Sequence, residues 1–177
     1  MSTKNKDICT SCEKLVNFRK TKVARYQYDE SGLDNVFLMN LPALECPECG
    51  FQSVVIPQPE ALHRLLAEAI ISKPFKLIGK EIRFLRTELG YSGADFSRSG
   101  VNFNHEHLNK VENGHLPVSA ELDKEVRLKY LSLRGTPKRT YKALQDALSE
   151  VLHPKEVGSK PVTLKFQSDE WKMPTAA

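Results

Sequence analysis

The chain has 177 residues, of which 40% are hydrophobic and 27% are charged, proportions that exclude a disordered or low-complexity protein. Its 26 Lys and Arg residues exceed its 22 Asp and Glu residues, which gives a net charge of +4, and the excess lies after Pro74. Such a mild positive charge permits a nucleic-acid partner without requiring one. The longest uncharged apolar run, Val36 to Leu44, is far too short to cross a bilayer, so no membrane residence is expected.

The first residues of the chain, MSTKNKD, are polar and lack the apolar segment of a secretory signal peptide. An oxidising, secretory compartment is therefore not indicated. We expect a cytoplasmic location, where cysteines stay reduced.

All four cysteines occur in two CxxC pairs, Cys9 with Cys12 and Cys46 with Cys49, and 33 residues separate the pairs. Two such turns bring four sulfur atoms to one metal ion, which is the pattern of a tetrahedral zinc site. Four thiolate ligands leave no coordination position for water or substrate, so we expect one structural zinc ion per chain. A disulfide framework would need an oxidising compartment, and a redox-active CxxC would need a βαβ context instead of strand-like neighbours.

The segment between the cysteine pairs predicts a β-ribbon. Residues Phe18 to Tyr28 combine β-forming and charged side chains, Asp29 to Gly32 has the composition of a turn, and Val36 to Leu41 follows as a returning strand. A third strand is predicted over Phe51 to Ile56. Two strands alone are marginally stable in water, so zinc would stabilise this zinc-binding β-rich domain, which we assign to residues 1–56.

A helix is predicted next in the chain. The stiff connector from Pro57 to Pro59 ends the strand pattern. Apolar residues then recur on one helical face from Glu60 to Ser72, and Pro74 closes the pattern. We interpret residues 57–74 as a linker helix; the alternative is an arm that helps to pair two subunits.

Five further helical segments follow: 78–89, 92–99, 104–113, 119–133 and 141–152. The first, third and fourth have apolar residues on one face. Ser92 and Asp95 form a capping-box-like start to the second segment, and Leu133 is expected to face inward with the other apolar residues of the fourth. Short helices joined by short turns predict a compact helix-turn-helix domain. We assign this domain to residues 75–135 and a C-terminal helix and tail to residues 136–177.

Two motifs resemble known families. The segment Ile78 to Gly90 (IGKEIRFLRTELG) and the downstream Lys110 to Gly114 (KVENG) resemble the phage-repressor (Cro/CI or XRE) helix-turn-helix family. With the preceding CxxC, the strand-rich segment and CPECG, the whole resembles the MqsA-type antitoxin family, in which a YgiT-type zinc finger is joined to such a domain. The resemblance implies an α+β fold, with a small zinc-bound β-ribbon domain followed by an all-α phage-repressor-like helix-turn-helix domain.

The resemblance also implies a structural ion pair. In repressors of this kind an arginine late in the first helix pairs with the glutamate before Asn-Gly, and here these residues are Arg86 and Glu112. A partly buried pair is costly to break on one side. We therefore interpret both residues as structural.

The third helix of such a domain enters the major groove with its N-terminal residues facing the bases. The base-facing positions of the family correspond here to His105, Glu106 and Lys110, with Asn104 near the phosphates. Lys110 can donate to guanine, Glu106 can accept from cytosine, and Asn104 can bond a phosphate. The alternative is an exposed helix that simply carries polar residues.

Phosphate contacts are expected at the start of the second helix of the domain. The backbone N–H groups of Ser92 and Gly93 can bind phosphate because that end carries the positive helix dipole. Arg98 and Lys80 are further candidates, and each could equally be an ordinary surface charge. The family commonly has glutamine at Gly93, and the segment 100–107 is longer here than usual, so the chain departs from the family at both places.

The end of the chain is unlike the family. Residues Val162 to Phe166 alternate like an edge strand, which could pair with the sheet of a partner protein. The alternative is a loosely ordered terminus in which one aromatic residue, Trp171, is packed.

These observations favour a sequence-specific DNA-binding transcriptional repressor that binds a palindromic operator in double-stranded DNA as a homodimer. By resemblance it would be the antitoxin of a type II toxin-antitoxin system, which binds a toxin protein and represses their shared operon. The alternative is a stand-alone zinc-finger and helix-turn-helix regulator, or a protein-interaction adaptor, without a toxin. No catalytic constellation stands out and the predicted metal site is closed, so no enzymatic activity is expected.

Overall fold

The computed structural model describes residues 6–99, 101–135 and 161–173. Within these ranges the fold is mixed α+β, with seven strands and five α-helices. The chain divides into two compact units. The first contains the residues up to Gln27, the segment Phe37–Pro59 and the residues from Thr163 onward, and the second contains Tyr28–Val36 and Glu60–Val162.

A short two-stranded ribbon opens the first unit. Strand β1 (Asp7–Ile8) pairs antiparallel with β2 (Leu15–Val16), and the first CxxC turn lies between them. The sequence pattern predicts neither strand, because two residues are too few to make an alternation visible.

The five-stranded sheet of the chain is built around its longest strand. Strand β4 (Val36–Glu45) pairs antiparallel with β3 (Arg19–Gln27) and with β5 (Gln52–Val54), and it also neighbours β6 (Val162–Gln167). Strand β7 (Glu170–Lys172) pairs antiparallel with β6. The first three of these strands lie on the segments predicted from the sequence, and β4 extends beyond its predicted end because it also pairs with β5.

The strand predicted over Val162 to Phe166 is present as β6, which joins the sheet of its own chain. The packed aromatic residue of the second alternative is also present, although it lies in a β-hairpin. A tight turn with positive φ at Ser168 and Asp169 connects β6 to β7. Trp171 is buried, and its indole N–H donates to the carbonyl oxygen of Pro57 at 2.8 Å. The tryptophan therefore anchors this hairpin within the first unit.

The tip of the β3–β4 hairpin belongs to the second unit. A single 3-10 turn at Asp29–Ser31 ends at Gly32, whose φ of 73° is a conformation that glycine adopts without strain. Tyr28 and Leu33 are buried at this tip, and the Tyr28 hydroxyl lies 2.7 Å from His63 Nε2. The turn predicted at this position is present, and it packs with helical residues of the same unit.

Five helices make up most of the second unit: α1 (Pro59–Ile71), α2 (Gly79–Glu88), α3 (Gly93–Ser99), α4 (His105–Glu112) and α5 (Ala120–Arg134). Helix α4 packs against α2 and α3, and α2 packs against α5. Their bounds agree with the predicted segments to within one residue at each end. The helix predicted over 141–152 lies outside the described residues.

The apolar faces of two helices can be compared with the predictions. Helix α1 buries five apolar residues: Leu62, Leu66, Ala67, Ile70 and Ile71. On α5, Val126 and Tyr130 face inward as predicted, but Leu133 is 48% exposed. It shares their face by helical geometry, yet it lies in the last turn, beside an open cavity.

Candidate metal centre and nucleic-acid interface

The two CxxC turns have the same backbone geometry. In each turn the residue after the second cysteine donates its N–H to the carbonyl oxygen of the first, at 2.8 Å from Glu13 to Cys9 and at 2.9 Å from Gly50 to Cys46. That residue has a positive φ in both turns, 59° at Glu13 and 74° at Gly50. Glycine adopts this conformation without strain, whereas glutamate does not. Only the second turn therefore has the residue that its backbone favours.

The four sulfur atoms converge on one point. The Sγ atoms of Cys9 and Cys49 lie 3.8 Å apart, as do those of Cys12 and Cys46, and all four lie within 4.8 Å of one another. A disulfide would need about 2.05 Å, so the four thiols are free. Four ligands placed tetrahedrally at the zinc–sulfur distance of about 2.3 Å would be about 3.8 Å apart. The cluster therefore fits a tetrahedral metal ion.

Hydrogen bonds, burial and the neighbouring thiols shift the pKa values of Cys9 and Cys12 in opposite directions. A hydrogen bond with the Cys12 backbone lowers the pKa of the Cys9 thiol to about 7. At Cys12, a hydrogen bond with the Lys14 backbone lowers the pKa, but burial and the neighbouring thiols outweigh it and raise the value to about 12. Adjacent thiolates repel one another, so they cannot all ionise unaided. A bound cation would remove this conflict and release protons.

In the described part of the chain, a small buried cluster and one ion pair also link the two turns. Cys9, Val16 and Cys46 form a small buried cluster around the site. Lys14 Nζ lies 2.9 Å from Glu48 Oε2 and links the turns; the contact raises the pKa of Lys14 and lowers that of Glu48. Both charged side chains are exposed, so this pair contributes little.

Helices α3 and α4 begin at well-defined caps. Ser92 Oγ accepts from the Asp95 N–H at 3.1 Å, as the capping-box pattern predicts. The Asp95 carboxylate accepts from the Ser92 hydroxyl at 2.6 Å, whereas in a capping box it accepts from the backbone N–H of the cap residue. Asn104 Oδ1 accepts from the His107 N–H at 2.7 Å. Its oxygen therefore caps α4, and its amide nitrogen is the donor that a phosphate contact would use.

Arg86 and Glu112 form a bidentate ion pair that joins α2 to α4. Arg86 Nε donates to Glu112 Oε1 at 2.7 Å, and Arg86 Nη2 donates to Glu112 Oε2 at 2.8 Å. The third donor, Nη1, binds the carbonyl oxygen of Tyr91 at 2.7 Å. Both charged side chains are almost buried, and the hydrogen bonds with the carboxylate raise the pKa of Arg86. The pair thus fixes α4 relative to α2.

Helix α4 presents a polar face. Leu108 and Val111 are buried, while His105, Glu106 and Lys110 are exposed on its other side. Lys110 Nζ lies 2.7 Å from Glu106 Oε1, and this contact lowers the pKa of the carboxyl group. Because an exposed pair four residues apart is weak, base edges could compete for both side chains.

Gly93 lies close to the ring of His105 at the start of α4. A Cβ atom built on Gly93 would lie 3.0 Å from His105 Nε2, so a side chain there would compete with the His105 ring for space. The two departures from the family, glycine at position 93 and the longer segment 100–107, therefore lie next to each other. Glycine at the start of α3 leaves room for the histidine at the start of α4.

The two other cations proposed for phosphate contacts are held by carboxylates. Arg98 Nη2 donates to Asp95 Oδ1 at 2.6 Å, and Lys80 Nζ lies 2.7 and 2.6 Å from the two carboxylate oxygens of Asp34. All four side chains are exposed. Phosphate binding by either cation would therefore replace a surface ion pair.

The sequence pattern does not reveal a buried network around Arg127, which is fully buried. Its guanidinium lies 3.2 Å from Asp123 Oδ2, and Asp123 Oδ1 accepts from the Leu77 N–H at 2.7 Å. The same guanidinium donates to three carbonyl oxygens between α1 and α2, at 2.6, 2.9 and 2.7 Å: Ile71, Lys73 and Phe75. Burial lowers the pKa of Arg127, and Asp123 opposes that effect. In sequence, the pair has the spacing of an ordinary surface ion pair.

A second residue whose role the sequence pattern does not reveal is Gly79, the first residue of α2. A Cβ atom there would lie 2.0 Å from the Val111 carbonyl oxygen. Glycine is therefore required for the close approach of α2 and α4. Its only signal in the sequence is a glycine at the start of an amphipathic segment.

No helix in the described part of the chain is long and apolar enough to cross a membrane. The motif resemblance to MqsA-type antitoxins stays a prediction, because comparison with known proteins identifies no family. No protein-family model matches the chain, and no curated protein or solved structure matches it significantly.

Proposed function

We propose that the chain is a sequence-specific DNA-binding transcriptional repressor, in which α3 and α4 form a helix-turn-helix and α4 enters the major groove. The exposed face of α4, with His105, Glu106 and Lys110, is the observation that supports this function most directly. The Arg86–Glu112 pair fixes the helix behind that face. A rigidly held helix with exposed donors and acceptors suits direct contact with base edges.

In this proposal the two parts of the fold have separate tasks. Residues 1–56 supply the zinc-bound part of a β-rich domain whose sheet is completed by β6 and β7, and residues 75–135 form an all-α phage-repressor-like domain. The sulfur geometry supports zinc, because four thiolates in a tetrahedron are a preferred zinc environment. The ion holds the turns and does no chemistry, since four thiolates close its coordination shell. Free thiolates of this kind persist in a reducing cytoplasm, which is the location we propose.

We further propose that the protein acts as a homodimer on a palindromic operator. One α4 helix contacts one half-site, and two related helices would contact half-sites about one helical turn, roughly 34 Å, apart. By its resemblance to MqsA-type antitoxins, the protein would also bind a toxin through its zinc domain or a flanking segment. Repression of the shared operon would then depend on both partners.

DNA binding tests this proposal directly. Fluorescence anisotropy with the DNA upstream of the chain's own gene should detect a complex that prefers this sequence over scrambled DNA. Its affinity should fall steeply between about 50 and 200 mM salt, because phosphate contacts release counterions. Equal affinity for scrambled DNA, or no salt-sensitive complex, would contradict the proposal.

The double replacement Glu106→Ala and Lys110→Ala tests the face of α4. Each good base contact is worth about 1–3 kcal/mol of discrimination, so the variant should lose sequence preference while keeping residual salt-dependent binding. Lys124→Ala, at an exposed position on α5, is the matched control and should keep the preference.

A protein-interaction adaptor is the second candidate, and two observations favour it. Lys110 and Glu106 neutralise each other, and Gly93 lacks the side chain that the family commonly uses to hold a phosphate. An adaptor should co-purify with the product of the neighbouring gene in both the wild type and the double variant. It should form no selective complex with the upstream DNA.

A further inference from the structure

One face of the five-stranded sheet carries a row of positive charges. Lys20, Lys22 and Arg25 lie on β3, and their side chains are exposed. The register of β3 with β4 places three apolar residues directly across from them: Leu44, Pro42 and Met39. Residues directly opposite each other in an antiparallel pair share a face, so the cations and these apolar residues lie on the same side of the sheet. We call this side the basic face.

The basic face continues across an irregularity in the middle of β4. Asn40 has a positive φ of 58°, and the alternation of the strand shifts there by one residue. Leu38 before it and Leu41 after it are both buried. The half-buried residues of β4 that point away from the core therefore lie on a single face: Phe37, Met39, Pro42 and Leu44. For this reason Arg25, three residues after Lys22, lies on the same side as the lysines.

The positive charge of this face is not balanced by neighbouring carboxylates. Within the described residues, no ion pair joins any of the three cations to a carboxylate, and the residues opposite them on β4 are uncharged. Ser53 of β5, which lies opposite Leu44, is also uncharged. The guanidinium of Arg25 lies 3.9 Å from the centroid of the Phe37 ring, which orients the group without a counter-ion. The face is therefore electropositive and suits an anionic partner.

Protection of the sheet edge accounts for only part of this pattern. Strand β3 is the terminal strand of its path in the sheet, and lysines on such a strand discourage pairing with other chains. The side of an antiparallel sheet that faces water is normally polar. Here an apolar row lies beside the cations instead, so the face combines positive charge with apolar surface.

We propose that the basic face binds single-stranded nucleic acid. The cations follow β3 and the apolar residues follow β4, about 4.8 Å away. A single strand that lies along β3 can place its phosphates over the cations and the faces of its bases over the apolar row. A duplex stacks its bases inside the helix, so it could use only the cations. Such binding is independent of base sequence, and it is a second function beyond the proposed reading of duplex DNA by α4.

A labelled thymidine oligomer of about 12 nucleotides is a suitable probe for the full chain, with fluorescence anisotropy as the readout. A saturable complex is expected. Because each of three cations displaces about 0.7 counterions, the logarithm of the association constant should fall with the logarithm of the salt concentration with a slope of about −2. An abasic oligomer of the same length should bind at least about tenfold more weakly, because it offers no bases to pack on the apolar row.

Three outcomes of this titration would overturn the site. The first is no saturable binding up to about 100 μM protein, which is the weak end of non-specific binding. The second is equal affinity for the abasic oligomer, which would mean that only charge matters. The third is equal affinity for a polyglutamate peptide of the same length, which would make the face a surface for acidic proteins.

The double replacement Lys20→Gln and Lys22→Gln assigns the binding groups. Both side chains are exposed, so the Tm of the variant should equal that of the wild type. Its affinity for the thymidine oligomer should fall at least about tenfold, and the salt slope should shrink to about −0.7. Arg19→Gln is the matched control, because it removes a charge from the same strand but on the other side of the sheet, opposite Glu45. Unchanged affinity in the lysine variant, or an equal loss in the control, would overturn the assignment.

The α4 variant with Glu106→Ala and Lys110→Ala separates this site from the proposed operator site. It should bind the thymidine oligomer as tightly as the wild type, whether or not α4 reads duplex DNA. Loss of oligomer binding in the α4 variant, with binding retained in the lysine variant, would place the single strand on α4 and overturn the proposal.

Discussion

The CxxC region and the helical unit are each stabilised in a different way. Around the CxxC turns, the buried cluster among the described residues consists of Cys9, Val16 and Cys46, so we expect order there to depend on a metal ion held by the four sulfur atoms. In the helical unit, Arg127 and Asp123 lie buried in a hydrogen-bonded network among large apolar side chains. We therefore expect metal-dependent stability around the four cysteines and stability from packing in the helical unit.

Metal removal should separate the two regions most sharply. A strong chelator should disorder the CxxC turns, because a structural zinc site contributes on the order of 10 kcal/mol to folding. The helices from α2 onward should keep their structure. Amide NMR spectra before and after chelation, with zinc restored as the control, measure both effects. Loss of the helical signals together with those of the turns would show that the regions are not independent.

Arg127→Met should produce the largest effect of a single substitution in the helical unit. It leaves Asp123 buried without its cation and removes the donor for three carbonyl oxygens, which should cost about 3–5 kcal/mol. Urea unfolding measures this loss. Arg98→Met is the matched control, because its ion pair with Asp95 is exposed, and it should change stability little. A similarly small effect at Arg127 would mean that the network is dispensable.

Gly79→Ala should have a smaller effect. The added methyl group would meet the backbone of Val111, so α2 and α4 must separate, at a cost of about 1–3 kcal/mol. Gly93→Ala is the control, because its methyl group would meet only the His105 side chain, which can move. Urea unfolding of both variants tests whether backbone contact decides the difference, and equal losses would argue against it.

The smallest effect is expected within the first CxxC turn. Glu13→Gly relieves a left-handed backbone, so metal affinity should rise up to about fivefold in a competition titration. The reciprocal change, Gly50→Glu, places glutamate in the equivalent position and should lower the affinity by a similar factor. Unchanged affinity in both variants would mean that the turns tolerate the strain.

Local patterns predict much of this molecule. The spacing of Cys9, Cys12, Cys46 and Cys49 predicts a four-sulfur cluster, because a CxxC turn has one geometry wherever it occurs. The helix bounds follow from apolar periodicity and from caps such as Ser92, whose contacts lie within one turn of the chain. The turns, helix bounds and caps depend on neighbours in sequence, and the two cysteine pairs, although 33 residues apart, are recognisable because their ligand chemistry is specific.

Contacts between distant residues that no motif marks could not be predicted. Asp123 and Arg127 have the spacing of a surface ion pair, and only the packing of α5 against the α1–α2 connection buries them. Lys80 suggests a phosphate contact until the hairpin tip brings Asp34 to it. The Tyr130 hydroxyl, which is buried without a hydrogen-bond partner among the described residues, likewise has no sequence signal, since burial is a property of the folded environment.

The pairing of β6 with β4 reverses the usual order of folding during synthesis. Domains generally fold from the N-terminus as the ribosome releases them. Here the bond between Pro57 and Trp171 spans 114 residues, and the bond between Gln58 and Asp169 spans 111. The residues of α1 to α5 are released before residues 162–172, so the helices can pack while the sheet still lacks two strands. The part of the protein that is translated first is therefore the part that is completed last.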